Sequence, residues 1–183
     1  MLTLPRVPLL AKVLLGVVLA FVAMSVGCSA LHTQHYRSAL PAEIETTFGL
    51  ATTGSSSSIL DLFAGGRMEA CGGAIFKLSD KTISAVRDGG LTFLKDARQG
   101  RGYTDAADRL FHYYSYAPWQ PTPLPPKWTS EGAWYGLSCM YLGPEVRSIL
   151  DAARAPGSFY TTGRSKMLWI APGLGLAVFT FTS

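Results

Sequence analysis

Few side chains in this chain have the types and spacing that covalent or acid–base chemistry needs. Gly136-Leu-Ser-Cys-Met140 is one glycine short of a nucleophile elbow, and the glycine is missing where the tight turn requires it. His112 precedes Ser138, the reverse of the order expected for a Ser–His pair on that elbow. Cys139 with His112 is a thiol catalyst only if the thiol is free. Asp105 and Asp108 are candidate paired carboxylates, yet their spacing fits better the first turn of a helix running towards Tyr114, with Asp105 as N-cap. Glu131 is the lone general-acid candidate. His32 and His35 have metal-like spacing but no third ligand beside them, and read as part of a solvated tether. Arg98, Arg101 and Arg109 flank the glycines around Tyr103 and read as a solvated face, with a small anionic contact as the alternative. Gly173-Leu-Gly175 precedes a strand, not a helix, so it is no dinucleotide fingerprint. No metal site, cofactor or catalytic residue is assigned, and the balance leans away from an enzyme.

Aromatic residues are the stronger signal. Six of the eight Tyr and three of the four Trp fall between 103 and 141. Phe111-His-Tyr-Tyr-Ser-Tyr116 runs into Pro118-Trp-Gln-Pro-Thr-Pro-Leu-Pro-Pro-Lys-Trp128. The prolines fix φ and remove donors, so this second part must be extended. Aromatics with polar tips suit a sugar, a peptide or a protein surface. Tyr113, Tyr114, Tyr116, Trp119, Trp128 and Trp134 are therefore the candidate ligand or partner contacts. The competing expectation is that Trp119 and Trp128 only pin the loop to the body.

The N-terminus reads as an address. Arg6 and Lys12 precede Val13–Met24, about twelve residues without a polar side chain, the length of a signal h-region. Ser25-Val-Gly-Cys28-Ser29 resembles the lipobox of bacterial lipoproteins, on the strength of Gly27 and Cys28. Ser25 departs from the aliphatic residue usual three places before the cysteine. The resemblance covers residues 1–28 and implies lipidation of Cys28 after cleavage of 1–27. Two other readings stay open. The uncharged run extends from Val13 to Leu31, about long enough for an uncleaved anchor, and Ser25 with Gly27 also suits ordinary cleavage. Each places the domain in the bacterial cell envelope or outside it; the first two tether it to a membrane, facing the periplasm or exterior.

Composition agrees. Removing 1–27 leaves 14 basic against 12 acidic residues, a net charge of +2. With no basic run, nucleic acid is not expected as a partner. If Cys28 carries lipid, Cys71 and Cys139 remain as a pair for a disulfide, worth about 4 kcal/mol in the chain-entropy model.

The elements expected to carry these residues are as follows. Residues 28–58 read as tether and lead-in, with Gly54 and Ser55 to Ser58 as a flexible tract; Pro41 to Phe48 fits a helical turn or a strand. The domain then spans 59–183. Ile59–Phe63, Ala70–Leu78 and Ala133–Leu142 read as strands. Ser79 caps a helix that Gly89-Gly90 either interrupts near 88 or leaves intact. Pro144 opens a second helix with the stripe Val146, Ile149, Leu150 and Ala153. Three hairpin-linked strands follow at 158–162, 166–170 and 174–182, the last apolar on both faces and so internal to the sheet. The expected fold is α+β: an antiparallel β-sheet with two or three helices on one face, preceded by an N-terminal hydrophobic signal or anchor helix. The expected role is a binding module for another envelope component, a protein or a glycan. The alternatives are an envelope hydrolase acting on cell-wall or glycan material, and an inhibitor or immunity-type lipoprotein.

Overall fold

Strands apolar on both faces need neighbours at both edges and cover on both sides, and the C-terminal segments receive both. The computed structural model describes residues 15–21, 34–55, 70–105, 107–126, 148, 151–152 and 154–182. Its strands are β1 (Thr46–Ser55), β2 (Ala70–Leu78), β3 (Tyr103–Thr104), β4 (Phe111–His112), β5 (Gln120–Pro121), β6 (Phe159–Gly163), β7 (Lys166–Ala171) and β8 (Leu176–Thr182). Six of them form one antiparallel sheet in the order β1-β2-β8-β7-β6-β5. The last strand in the chain is thus central, as its two-faced apolarity requires. The fold is α+β.

Register sets the two faces. Ala74, Phe179, Leu168 and Thr161 lie in one row across four strands, and Phe76, Ala177, Ile170 and Phe159 in the next. Helix α1 (Asp80–Leu94) lays Val86 and Leu94 into the core of this face. On the other face Ile75, Val178, Trp169 and Tyr160 form a row, packed with Leu124, Met167 and Ala152. Both faces of the central strands β7 and β8 are therefore largely buried.

Helix α1 begins where the sequence places a cap: the Ser79 hydroxyl accepts the Thr82 N–H at 3.2 Å. The Thr82 hydroxyl accepts from Ser79 Oγ (3.1 Å) and Glu45 N–H (3.0 Å) and donates to Glu45 O (3.3 Å). Ser79 N–H also donates to Glu45 O. Helix start and β1 entry are one hydrogen-bonded knot, and Thr82 is buried within it. Gly90, at φ 49° and ψ −128°, breaks the helical path inside α1, a conformation open to glycine. This is the interrupted form of the helix.

Three expectations change. Residues 34–55 are not a tether. Residues 34–37 form a helical turn, Tyr36, Ala39, Leu40 and Ile44 enter the core, and Thr46–Ser55 is an edge strand paired along its length with β2. Thr and Gly dominate that strand, so it resembles a linker in composition, while the ladder to β2 satisfies its backbone. Nor do Asp105 and Asp108 open a helix. Their side chains accept the Ala107 and Leu110 N–H groups (2.7 and 2.8 Å), closing the turn between β3 and β4; such local bonds compete with helix formation. Finally, Arg101 is no solvated bystander. Its guanidinium donates to the carbonyls of Arg37 (3.5 Å), Leu40 (3.3 Å), Ala42 (3.2 Å) and Ile44 (2.8 Å).

The strands expected at 59–63 and 133–142 lie outside the described residues. In the second helical segment, Ser148, Asp151, Ala152 and Arg154 are helical, and Ala155 N–H donates to Asp151 O at 3.1 Å. Residues 15–21 are helical and expose Leu15, Val17, Val18, Leu19 and Phe21. Among the described residues no helix is long and apolar enough to cross a membrane.

Thr82→Val keeps the shape but removes the acceptor for Glu45 N–H. A loss of about 1–3 kcal/mol is expected by denaturant unfolding; an unchanged midpoint would show that the knot contributes nothing.

Candidate functional site

The aromatic stretch alternates. Phe111, Tyr113 and Ser115 are exposed, while His112 and Tyr114 are half-buried and Tyr116 is buried. This period of two belongs to extended chain on a surface. The segment is docked by Gly100 N–H to Tyr114 O, Tyr116 N–H to Arg98 O and Ala117 N–H to Thr162 O. Tyr116, 5% exposed, donates its hydroxyl to Ala39 O (2.8 Å), and Trp119, 7% exposed, donates Nε1–H to Ala97 O (2.7 Å). Both are core residues and offer no contact surface; the pinning reading is the correct one for Trp119. Tyr113 is exposed. Trp128 and Trp134 lie outside the described residues, as do Glu131, Ser138, His32, Cys28 and Cys139. Cys71 is buried in β2.

Tyr114 leads to the site itself. Beyond the Ala74–Phe179–Leu168–Thr161 row comes a last row in which Phe181 pairs with Gly72 on one side and Lys166 on the other, and Lys166 faces Gly163 across the turn. Above it lies a cleft of about 280 Å³. It is lined by Phe181, Tyr114 and His35, by Phe179 and Tyr36 from the core side, and by Arg164, Ser165, Lys166 and Thr182. The rings touch: Tyr36 lies 5.6 Å from Phe181 and 6.0 Å from Phe179, and Tyr114 meets Phe179 edge-on at 5.5 Å.

The Lys166 arm crosses Gly163. A β-carbon there would stand 2.5 Å from Lys166 Cε, which can swing aside, and 2.6 Å from the backbone Ser115 O, which cannot, so the close approach of Ser115 is what requires glycine. The ammonium ends 4.8 Å from the centre of the Tyr114 ring, within cation–π range. Burial lowers the Lys166 pKa from its ordinary value. Among the described residues, no carboxylate lies within ion-pair distance of Lys166 or Arg164. Burial first and then the neighbouring Tyr103 and Tyr36 push the Tyr114 phenol up to about 12. Tyr116 moves upward for the same leading cause.

A second cluster adjoins this wall. His112 Nε2 is 2.9 Å from Asp108 Oδ2, and its ring stacks on Tyr103, which in turn meets His35 at 4.8 Å. Asp105, Asp108 and His112 bring ligand atoms within 4.8 Å of one another. Their oxygens already serve the turn: the Leu110 N–H is the main reason Asp108 ionises below its usual range, with His112 also lowering it. The trio is a turn-closing network.

The sequence reading reached Tyr114 and named His35 for another role. It missed Lys166, Phe179, Phe181 and Tyr36. A visible signal was the single lysine beside a hairpin turn and in front of an unbroken apolar strand. No protein-family model matches the chain, nor does any curated protein or solved structure.

Because folding withholds charge from Tyr114, its contribution is complete below pH 10 and is lost as pH rises through about 12. Denaturant midpoints are expected to fall over that window, and Tyr114→Phe to flatten the fall. Equal pH slopes in the two proteins would remove Tyr114 from this account.

Proposed function

We propose that this chain is a bacterial envelope lipoprotein whose α+β domain acts by recognition, as a binding module for another envelope component. In this reading the apolar N-terminal helix is the export signal, cleavage precedes Cys28, and acylation of Cys28 ties the domain to a membrane facing the periplasm or exterior. A second helix over 144–153 packs on the sheet, and Cys71 pairs with Cys139.

One observation carries the recognition reading: the cleft is aromatic-walled, and its first wall residue, His35, stands seven residues beyond Cys28. Seven extended residues reach at most about 25 Å. A lipid on Cys28 therefore confines the cleft to the space next to the membrane surface, where an envelope partner passes. Its walls combine aromatic rings with hydroxyl tips, a mix that suits recognition at low entropic cost.

The hydrolase alternative has a single point in its favour, the His112–Asp108 pair at 2.9 Å, which is the base-and-orienter half of a catalytic set. Its test is separate. His112→Ala should leave partner binding intact if recognition is the role, whereas loss of a cell-wall-hydrolysing activity in that variant would favour the enzyme.

The anchor is tested by fractionation. Wild type is expected in membranes with an acylated, cleaved N-terminus, and Cys28→Ala in the soluble fraction or retained as uncleaved precursor. An unmodified Met1 on the wild-type protein overturns the lipoprotein reading. Mild cross-linking in membranes should then capture one recurrent envelope protein or glycan.

Peptide mapping without reduction should recover Cys71 linked to Cys139. Replacing both with serine should cost up to about 4 kcal/mol. A Cys71–Cys28 peptide would sink both the pairing and the acylation.

A further inference from the structure

The cleft combines two features that a general contact surface does not need together. Its base and walls are four aromatic rings in mutual contact, Tyr36, Tyr114, Phe179 and Phe181. At one end of that apolar surface stand two cations on a single hairpin, Arg164 and Lys166, with no carboxylate among the described residues to neutralise them. Lys166 is the more telling. Its arm crosses Gly163, where a β-carbon would stand 2.6 Å from the Ser115 carbonyl. The ring of Tyr114 supplies only partial compensation for its charge. A half-buried ammonium beside aromatic rings is complementary to an anion whose remainder is apolar.

We propose that the cleft binds a small amphiphilic anion, one carboxylate or phosphate on a short apolar chain or ring. The anionic group meets Lys166 and Arg164, and the apolar part lies against the half-buried rings of Phe181 and Tyr114, which Phe179 and Tyr36 back from the core. This names the ligand class of the recognition site proposed above and rests on that reading for its setting. The chemistry has two sources, a free amphiphile or an anionic lipid of the adjacent bilayer, and the proposal covers their shared group.

The test uses the full-length protein in neutral phosphatidylcholine nanodiscs, titrated with octanoate, octyl phosphate and octanol. Binding is followed by NMR of ¹³C-labelled lysine and phenylalanine. Saturable shifts at Lys166 and Phe181 are expected with both anions. Octanol should bind at least about tenfold more weakly, and Lys166→Met should weaken octanoate by roughly tenfold or more, the scale of one charge-assisted bond. Arg164→Gln, at an exposed turn position, carries the same comparison should Lys166→Met not fold. Displacement of octanoate by vesicles containing phosphatidylglycerol supports the proposal and assigns the bilayer as source. Saturable octanoate binding without that displacement supports it with a free amphiphile as ligand. Equal affinity for octanol and octanoate, undiminished binding by the variants, or no saturable shift overturns it. None of these readouts depends on acylation of Cys28, so a failed anchor and a failed cleft are told apart.

Discussion

The segment from 37 to 44 brings a run of backbone carbonyls against the core, and its placement depends on one guanidinium. Arg101 donates to the carbonyls of Arg37, Leu40, Ala42 and Ile44. Backbone or side-chain donors take three of those between them: Gly102 N–H holds Ser38 O, Tyr116 OH holds Ala39 O and Ile44 N–H holds Pro41 O. With the carbonyls satisfied, the side chains of Ala39, Leu40 and Ile44 are free to be fully buried. A planar fork of five donors can serve carbonyls spread over eight residues; a lysine ammonium, with three, cannot. Burial is accordingly the leading influence lowering the Arg101 pKa, ahead of neighbouring Arg37, while Glu43 and Glu45 oppose it. Gly100 completes the clamp, since a β-carbon there would stand 2.7 Å from Ala39 O and 2.8 Å from Ser38 O.

That clamp explains where the sequence was readable and where it was not. Strand β2, the cap at Ser79, the break at Gly90 and the three C-terminal strands are specified by neighbours in the chain: alternation, a hydroxyl before a helix, a flexible residue, a short turn. The 34–55 segment is specified by partners far away. Its carbonyls are met from 101, 102 and 116, and its strand is held by β2, so its own polar, Thr-rich and Gly-rich composition resembles a linker. The 103–116 stretch carries no such local signal. It alternates in and out from Phe111 to Tyr116 by burial alone, with Phe111 and Tyr113 exposed and His112 half-buried, so its residue types do not announce the extended chain.

The candidate site was legible only in pieces for the same reason. Tyr114 stood out because aromatic residues crowd its neighbourhood, but the same crowding drew attention to Tyr116 and Trp119, which hold the loop down. What separates the three is depth and register, neither of which composition reports. Phe181, Lys166 and Gly72 are neighbours only through the pairing of β8 with β7 and β2, and Tyr36 reaches them because Arg101 fixes the segment that carries it.

The position of Lys166 follows from the cost of burying charge. The interior rows on this face are filled by Phe179, Leu168, Phe76 and Ile170, all close to fully buried, and an ammonium there would be without solvent or partner. One row further out, Gly72 and Gly163 flank Phe181 and Lys166. The Lys166 arm and the Ser115 carbonyl occupy the space above Gly163. The lysine is half-buried, and burial lowers its pKa. A side chain at Gly163 would meet the Ser115 carbonyl at 2.6 Å. Lys166 therefore stands where the packed rows end, and it lines the cleft together with Phe181 and Tyr114.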